Sequence, residues 1–88
     1  MAKYDPLKEF LQRQSGPTIT MSFADVGELV GGLPNSAFRH QAWWANERGG
    51  GHVQARAWLA AGWKVDSVNQ SHRTVTFRRE LGADRSLR

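Results

Sequence analysis

The sequence predicts one small α+β domain. Eighty-eight residues is the length of a single domain, with no room for a second. Apolar residues recur at i, i+3, i+4 in some segments and at every second position in others, the periods of helix and strand. Glycine and proline pairs punctuate these segments at Gly16-Pro17, Gly31-Gly32 and Leu33-Pro34, where turns are expected.

Residues 5–15 read as a first helix. Asp5 is a suitable N-cap, and Pro6 suits a first helical position. Leu7, Phe10 and Leu11 lie on one face, and Gly16-Pro17 stops the helix. Thr18 to Ser22 alternate, with Ile19 and Met21 on one side and hydroxyls on the other, so this segment reads as a short strand. Ser22-Phe23-Ala24-Asp25 resembles a capping box with Asp in its last place. It opens a second helix with Val26, Leu29 and Val30 on its apolar face, ended by Gly31-Gly32.

A short third helix is expected from Ala37 to about Trp43, with Phe38 and Ala42 as i, i+4 neighbours. Asn46 to Gly51 reads as a loop, since three consecutive glycines hold no regular element cheaply. Residues 52–61 form an alanine-rich helix with Gly62 placed as its C-cap. Ala55, Trp58 and Leu59 make one apolar stripe, and Val53, Ala57 and Ala60 a second, opposite one. That helix is therefore buried on two sides or approaches something closely with its small face. Trp63 and Val65, then Val75 and Phe77, alternate with polar residues around the turn-like Asn69–Arg73, giving a C-terminal hairpin. From Glu80 apolar content nearly vanishes, so the domain should occupy residues 1–80, with 81–88 a flexible tail.

With the short third helix set aside, the order is helix, strand, two helices and a hairpin. This is the order of a winged helix-turn-helix, in which the strand at 18–22 would join the hairpin in a three-stranded sheet. The helix at 52–61 would be the recognition helix, and the hairpin tip the wing.

Composition narrows the function classes. The chain has no cysteine, which excludes disulfides, Cys-based metal sites and Cys nucleophiles and fits an intracellular compartment. No apolar run follows the N-terminus as in a signal peptide, and none approaches the ~18 residues of a membrane span. A cytoplasmic location with no membrane association is therefore expected. Net charge is +4, unevenly placed: residues 1–34 carry three basic and four acidic side chains, residues 35–88 nine basic and four acidic. Eight of those nine are arginine, the composition of a surface that meets phosphates or carboxylates.

Trp43-Trp44-Ala45-Asn46, then Ala55-Arg56-Ala57-Trp58-Leu59-Ala60-Ala61-Gly62-Trp63, then Thr74-Val75-Thr76-Phe77-Arg78-Arg79 resemble a signature of a group of small bacterial and phage domains. The pattern is W-W-x-N, A-x-x-W-L-x-A-G-W and T-V-T-F-R-R, and the resemblance runs from Tyr4 to Arg79. It implies a family and no activity.

Arg39, His40, Arg48, His52, Gln54 and Arg56 cluster around the glycine loop and the start of the 52–61 helix. Arg and Gln suit base edges, and His or Arg suits phosphate. The alternative is a solvated polar face with arginine stems over apolar surface. Asn46 could read adenine or cap the loop. Arg73 and Arg78 would hold a nucleic-acid backbone from the wing, or keep an edge strand from pairing. Adjacent side chains point in different directions, so one of Trp43 and Trp44 could pack inside while the other stacks on a base or a protein partner; the alternative is that both pack, one inside and one under the glycine-rich loop.

Catalysis finds no candidates. The glycine triplet lacks the P-loop pattern. His40, His52 and His72 match no zinc spacing, and the serines sit at caps and turns. No catalytic residue, metal or cofactor is expected, and the protein is expected not to be an enzyme. The leading expectation is nucleic-acid binding, DNA ahead of RNA, by a small regulator. The other is a protein-interaction module such as an antitoxin, an inhibitor or a phage-encoded modulator, or a homodimer, supported by the tryptophan density and the two-sided helix.

Overall fold

A computed structural model describes residues 3–47 and 53–80. The elements are α1 (Asp5–Gln12), β1 (Thr18–Ser22), α2 (Phe23–Val30), α3 (Asn35–Arg39), a 3-10 turn (Gln41–Trp44), α4 (Val53–Ala60), β2 (Trp63–Asn69) and β3 (Thr74–Arg79). The expected tail at 81–88 and the glycine triplet lie outside the described residues.

Local chemistry explains most boundaries. Tyr4, not Asp5, is the N-cap of α1, and Asp5 lies in its first turn beside Pro6. α1 also ends three residues earlier than expected. The Ser22 hydroxyl caps α2 by accepting from the Asp25 amide at 3.0 Å. Gly31 ends α2 at φ 81°, a left-handed geometry that costs glycine little. The expected single helix from Ala37 to Trp43 is instead two pieces. His40 is extended, at φ −124° and ψ 116°, and the 3-10 turn follows it.

β1, β3 and β2 form a three-stranded antiparallel sheet in that order. The strand at 18–22 thus joins the hairpin as expected, with Ile19 opposite Phe77 and Met21 opposite Val75. β2 is longer than expected because the register shifts between Val65 and Ser67, leaving Asp66 as a bulge. The bulge restores Val68 to the inner face opposite Val75.

The helices cover one face of the sheet. Leu7, Leu11, Phe23, Val26, Trp44, Trp58, Trp63, Val75 and Phe77 are wholly buried. Aromatic rings run through this core: Phe23 stacks 4.9 Å from Trp44 and Trp44 6.0 Å from Trp58, and Trp58 lies tilted 5.6 Å from Phe77. Such ring pairs add about 1 kcal/mol each beyond their buried area.

One feature of a helix-turn-helix is not present. Its two helices are joined by a turn of 3–4 residues, whereas residues 31–52, with α3 and the 3-10 turn among them, separate α2 from α4.

Candidate nucleic-acid interface

α4 sorts its residues by face. Gln54, Ala55, Ala57 and Trp58 are buried, while Val53, Arg56 and Ala60 are exposed at i, i+3, i+7, one stripe of the helix. That stripe faces the start of α1 across a groove of about 660 Å³. Tyr4, Val53, Ala57 and Ala60 give it apolar walls, and Lys3, Lys8 and Arg56 set three cations around it against one carboxylate, Asp5. Ala57 and Ala60 have little bulk, so α1 and α4 approach closely.

Lys3 is held in place. Its ammonium donates to the Val30 carbonyl at 3.0 Å, at the C-terminal end of α2 where helix carbonyls lack partners, and lies 5.9 Å from the Tyr4 ring centre. Tyr4 packs edge-on against Trp43 at 6.1 Å. Burial pushes the Tyr4 phenol above its ordinary pKa, so it stays neutral at physiological pH.

The hairpin tip forms a second polar site. Asn69 accepts from the His72 amide and the Ser71 hydroxyl, which closes the turn. The tip does not stand free as a wing. Gln70 donates to the Ala37 carbonyl at 3.3 Å, and the Arg73 guanidinium lies 5.2 Å from the Phe38 ring centre. The Phe23 amide donates to the Arg73 carbonyl. Arg73 is thereby fixed at φ 58° against Phe38 of α3, and Arg39 and His40 at the end of α3 are exposed.

Other expected site residues lie elsewhere. Arg78 donates to Asp66 at 3.1 Å on the outer face of the sheet, both side chains 43% exposed. Arg48 and His52 lie outside the described residues. Gln54 is corrected: it is 6% exposed and its amide donates to the Trp43 carbonyl, so it does not face a base. Trp44 is also corrected, since it is 1% exposed and donates to the Ala37 carbonyl. Trp43 is half-buried between Tyr4 and Trp44.

Asn46 is exposed but engaged within the domain. Its Oδ1 accepts from the Val65 amide at 2.8 Å and from the Trp58 indole at 2.9 Å, and its Nδ2 donates to the Val65 carbonyl at 2.9 Å. These partners lie on α4 and β2, not on the glycine loop that Asn46 was expected to cap. Lys3 and Lys8 were not expected at the site, because charge was counted along the chain and they belong to its acidic part.

The signature tryptophans and Asn46 are therefore skeletal, and a model of a domain family matches residues 4–80. The chain belongs to the DUF7662 family. That family is described as a domain of unknown function. No curated protein and no solved structure matches this DUF7662 domain. Among its described residues no group of His, Cys, Asp or Glu is placed to hold a metal ion, and no helix is long and apolar enough to cross a membrane.

Proposed function

We propose that the domain binds nucleic acid, DNA ahead of RNA, through the exposed stripe of α4 in a winged-helix-like manner. The observation that carries this reading is the convergence of Lys3, Lys8 and Arg56 on one groove. Three cations from two elements are set there against one carboxylate, and Lys3 is fixed in place by the end of α2. Clustered cations of this kind bind phosphates and release counterions. Lys3 and Lys8 act as point charges, and the Arg56 guanidinium can bind a phosphate or a guanine edge with two parallel bonds.

The topology supports the same reading. A helix, a strand, two further helices on one sheet face and a hairpin in the order β1-β3-β2 suit a winged helix with an insertion between its second and third helices. α4 is about 12 Å long at 1.5 Å per residue, a length that enters a major groove. Arg73 on the docked hairpin tip, and the exposed Arg39 and His40 at the end of α3, would contact the backbone. The function is binding without catalysis.

Fluorescence anisotropy with a labelled duplex at low salt tests the proposal. Binding is expected with Kd around 1–100 µM, weakened by Arg56→Ala and by Lys8→Ala. Absence of binding to any duplex or single strand at about 100 µM protein would refute it.

One observation favours a second reading. Val53 is 53% exposed on the apolar wall of the same groove, as suits the apolar face of an acidic helical peptide. Binding of such a peptide, with weak salt dependence and no response to duplex, would assign the groove to a protein partner.

A further inference from the structure

The two edges of the sheet differ. β2 is sealed: Asn46 bonds both the amide and the carbonyl of Val65, and the Asp66 bulge interrupts the strand beside Lys64. Charge, bulges and covering groups are the usual protection of a sheet edge. Among the described residues β1 has none of these. Its five residues, Thr18-Ile19-Thr20-Met21-Ser22, carry no charge and no proline, and its pairing with β3 has no bulge.

The hydrogen-bond phase of β1 follows from its ends. The Arg79 amide donates to the Pro17 carbonyl and the Phe23 amide to the Arg73 carbonyl. In an antiparallel ladder bonded and non-bonded pairs alternate, so Ile19 and Met21 bond to β3. The amides of Thr18, Thr20 and Ser22, with the carbonyls of Thr18 and Thr20, point away from it. Beside this edge runs a groove of about 350 Å³ lined by Phe10, Ile19, Thr20, Met21, Asp25 and Leu29.

We propose that the edge of β1 pairs with the β1 edge of a second copy of this chain. The strand alternates hydroxyl, apolar, hydroxyl, apolar, hydroxyl, and this pattern reads alike in both directions. A twofold axis through Thr20 sets Thr20 opposite Thr20, Ile19 opposite Met21 and Thr18 opposite Ser22, in a continuous six-stranded sheet. The Thr20 amides and carbonyls bond reciprocally, and each Ser22 amide reaches the partner's Thr18 carbonyl. On the helix side the two grooves bring together Phe10, Ile19 and Leu29, all half-buried in one copy. Asp25, the charged residue of the groove, lies beyond Ser22 and so falls at the partner's Thr18 end, away from its own counterpart. A twofold interface needs only such self-complementarity.

Sedimentation equilibrium on the full chain without nucleic acid tests this, together with amide hydrogen exchange. A monomer–dimer equilibrium is expected. Exchange at Thr20 and Ser22 slows as protein concentration rises, while exchange at Ile19 and Met21 does not change. Thr20→Pro removes an edge amide that β3 does not use and weakens the dimer about tenfold or more. Thr20→Lys sets two ammoniums face to face, weakens it about severalfold and is relieved by salt; it decides the matter if Thr20→Pro fails to fold. Thr76→Ala, which removes only the Thr20–Thr76 hydroxyl bond, leaves the dimer intact. A chain that stays monomeric at about millimolar concentration, a dimer indifferent to both Thr20 variants, or one lost with Thr76→Ala overturns the proposal.

Discussion

Asn46 joins three parts of the molecule through one carboxamide. It follows the 3-10 turn, accepts from Trp58 on α4, and satisfies both backbone groups of Val65 on β2. Asn46→Ala should lower stability by about 3 kcal/mol, because the Trp58 indole N–H is left buried without an acceptor and the β2 edge loses two bonds. Urea unfolding measures this. The tryptophans provide a matched comparison. Trp58 donates to Asn46, whereas Trp63 Nε1 is buried with no acceptor among the described residues. Both Trp→Phe substitutions remove ring volume, but only Trp58→Phe also breaks a hydrogen bond. It should cost about 1 kcal/mol more than Trp63→Phe. At this scale the sequence was legible as a pattern but not as a mechanism. The W-W-x-N run marked out Trp44 and Asn46, yet their partners Phe23, Trp58 and Val65 lie far along the chain, and local spacing names no partner.

Where an element depends on its own residues, it was readable. The Ser22 cap, the Gly31 stop and the alternation of β1 each need only neighbours in sequence. α3 and the 3-10 turn depend on distant groups. Trp44 stacks between Phe23 and Trp58 and donates back to Ala37, and the chain breaks at His40 where one continuous helix was expected. The Asp66 bulge escaped notice for a related reason, since alternation cannot reveal a shift that pairing with β3 imposes. The hairpin tip carries a further consequence. Arg73 holds a left-handed conformation that costs a non-glycine residue about 1–2 kcal/mol, partly offset by about 1 kcal/mol from its contact with Phe38. Arg73→Gly should therefore leave stability within about 1 kcal/mol of the parent, while duplex affinity falls about threefold as a phosphate contact is lost. Thermal unfolding and anisotropy on the same variant separate the two effects.

Across the whole molecule, charge in sequence and charge in space differ. Among the described residues, the arginines of the second half do not all face one surface. Arg73 and Arg78 stand about 16 Å apart along the strand at 3.3 Å per residue. Arg78 pairs with Asp66, and Arg79 covers the Trp63 ring at 4.5 Å while donating to the Gln14 carbonyl. The acidic first segment instead supplies Lys3 and Lys8 to the groove that holds Arg56. Salt dependence distinguishes these classes of cation. Each phosphate contact contributes about 0.9 to the slope of log affinity against log salt on duplex DNA. Lys8→Ala and Arg56→Ala should each lower that slope by about one and weaken binding across sequences. Arg78→Ala should leave it unchanged, because an exposed pair with Asp66 already engages that guanidinium and it faces away from the groove. A slope insensitive to Lys8 and Arg56 but lowered by Arg78→Ala would move the contact surface from α4 to the outer face of the sheet.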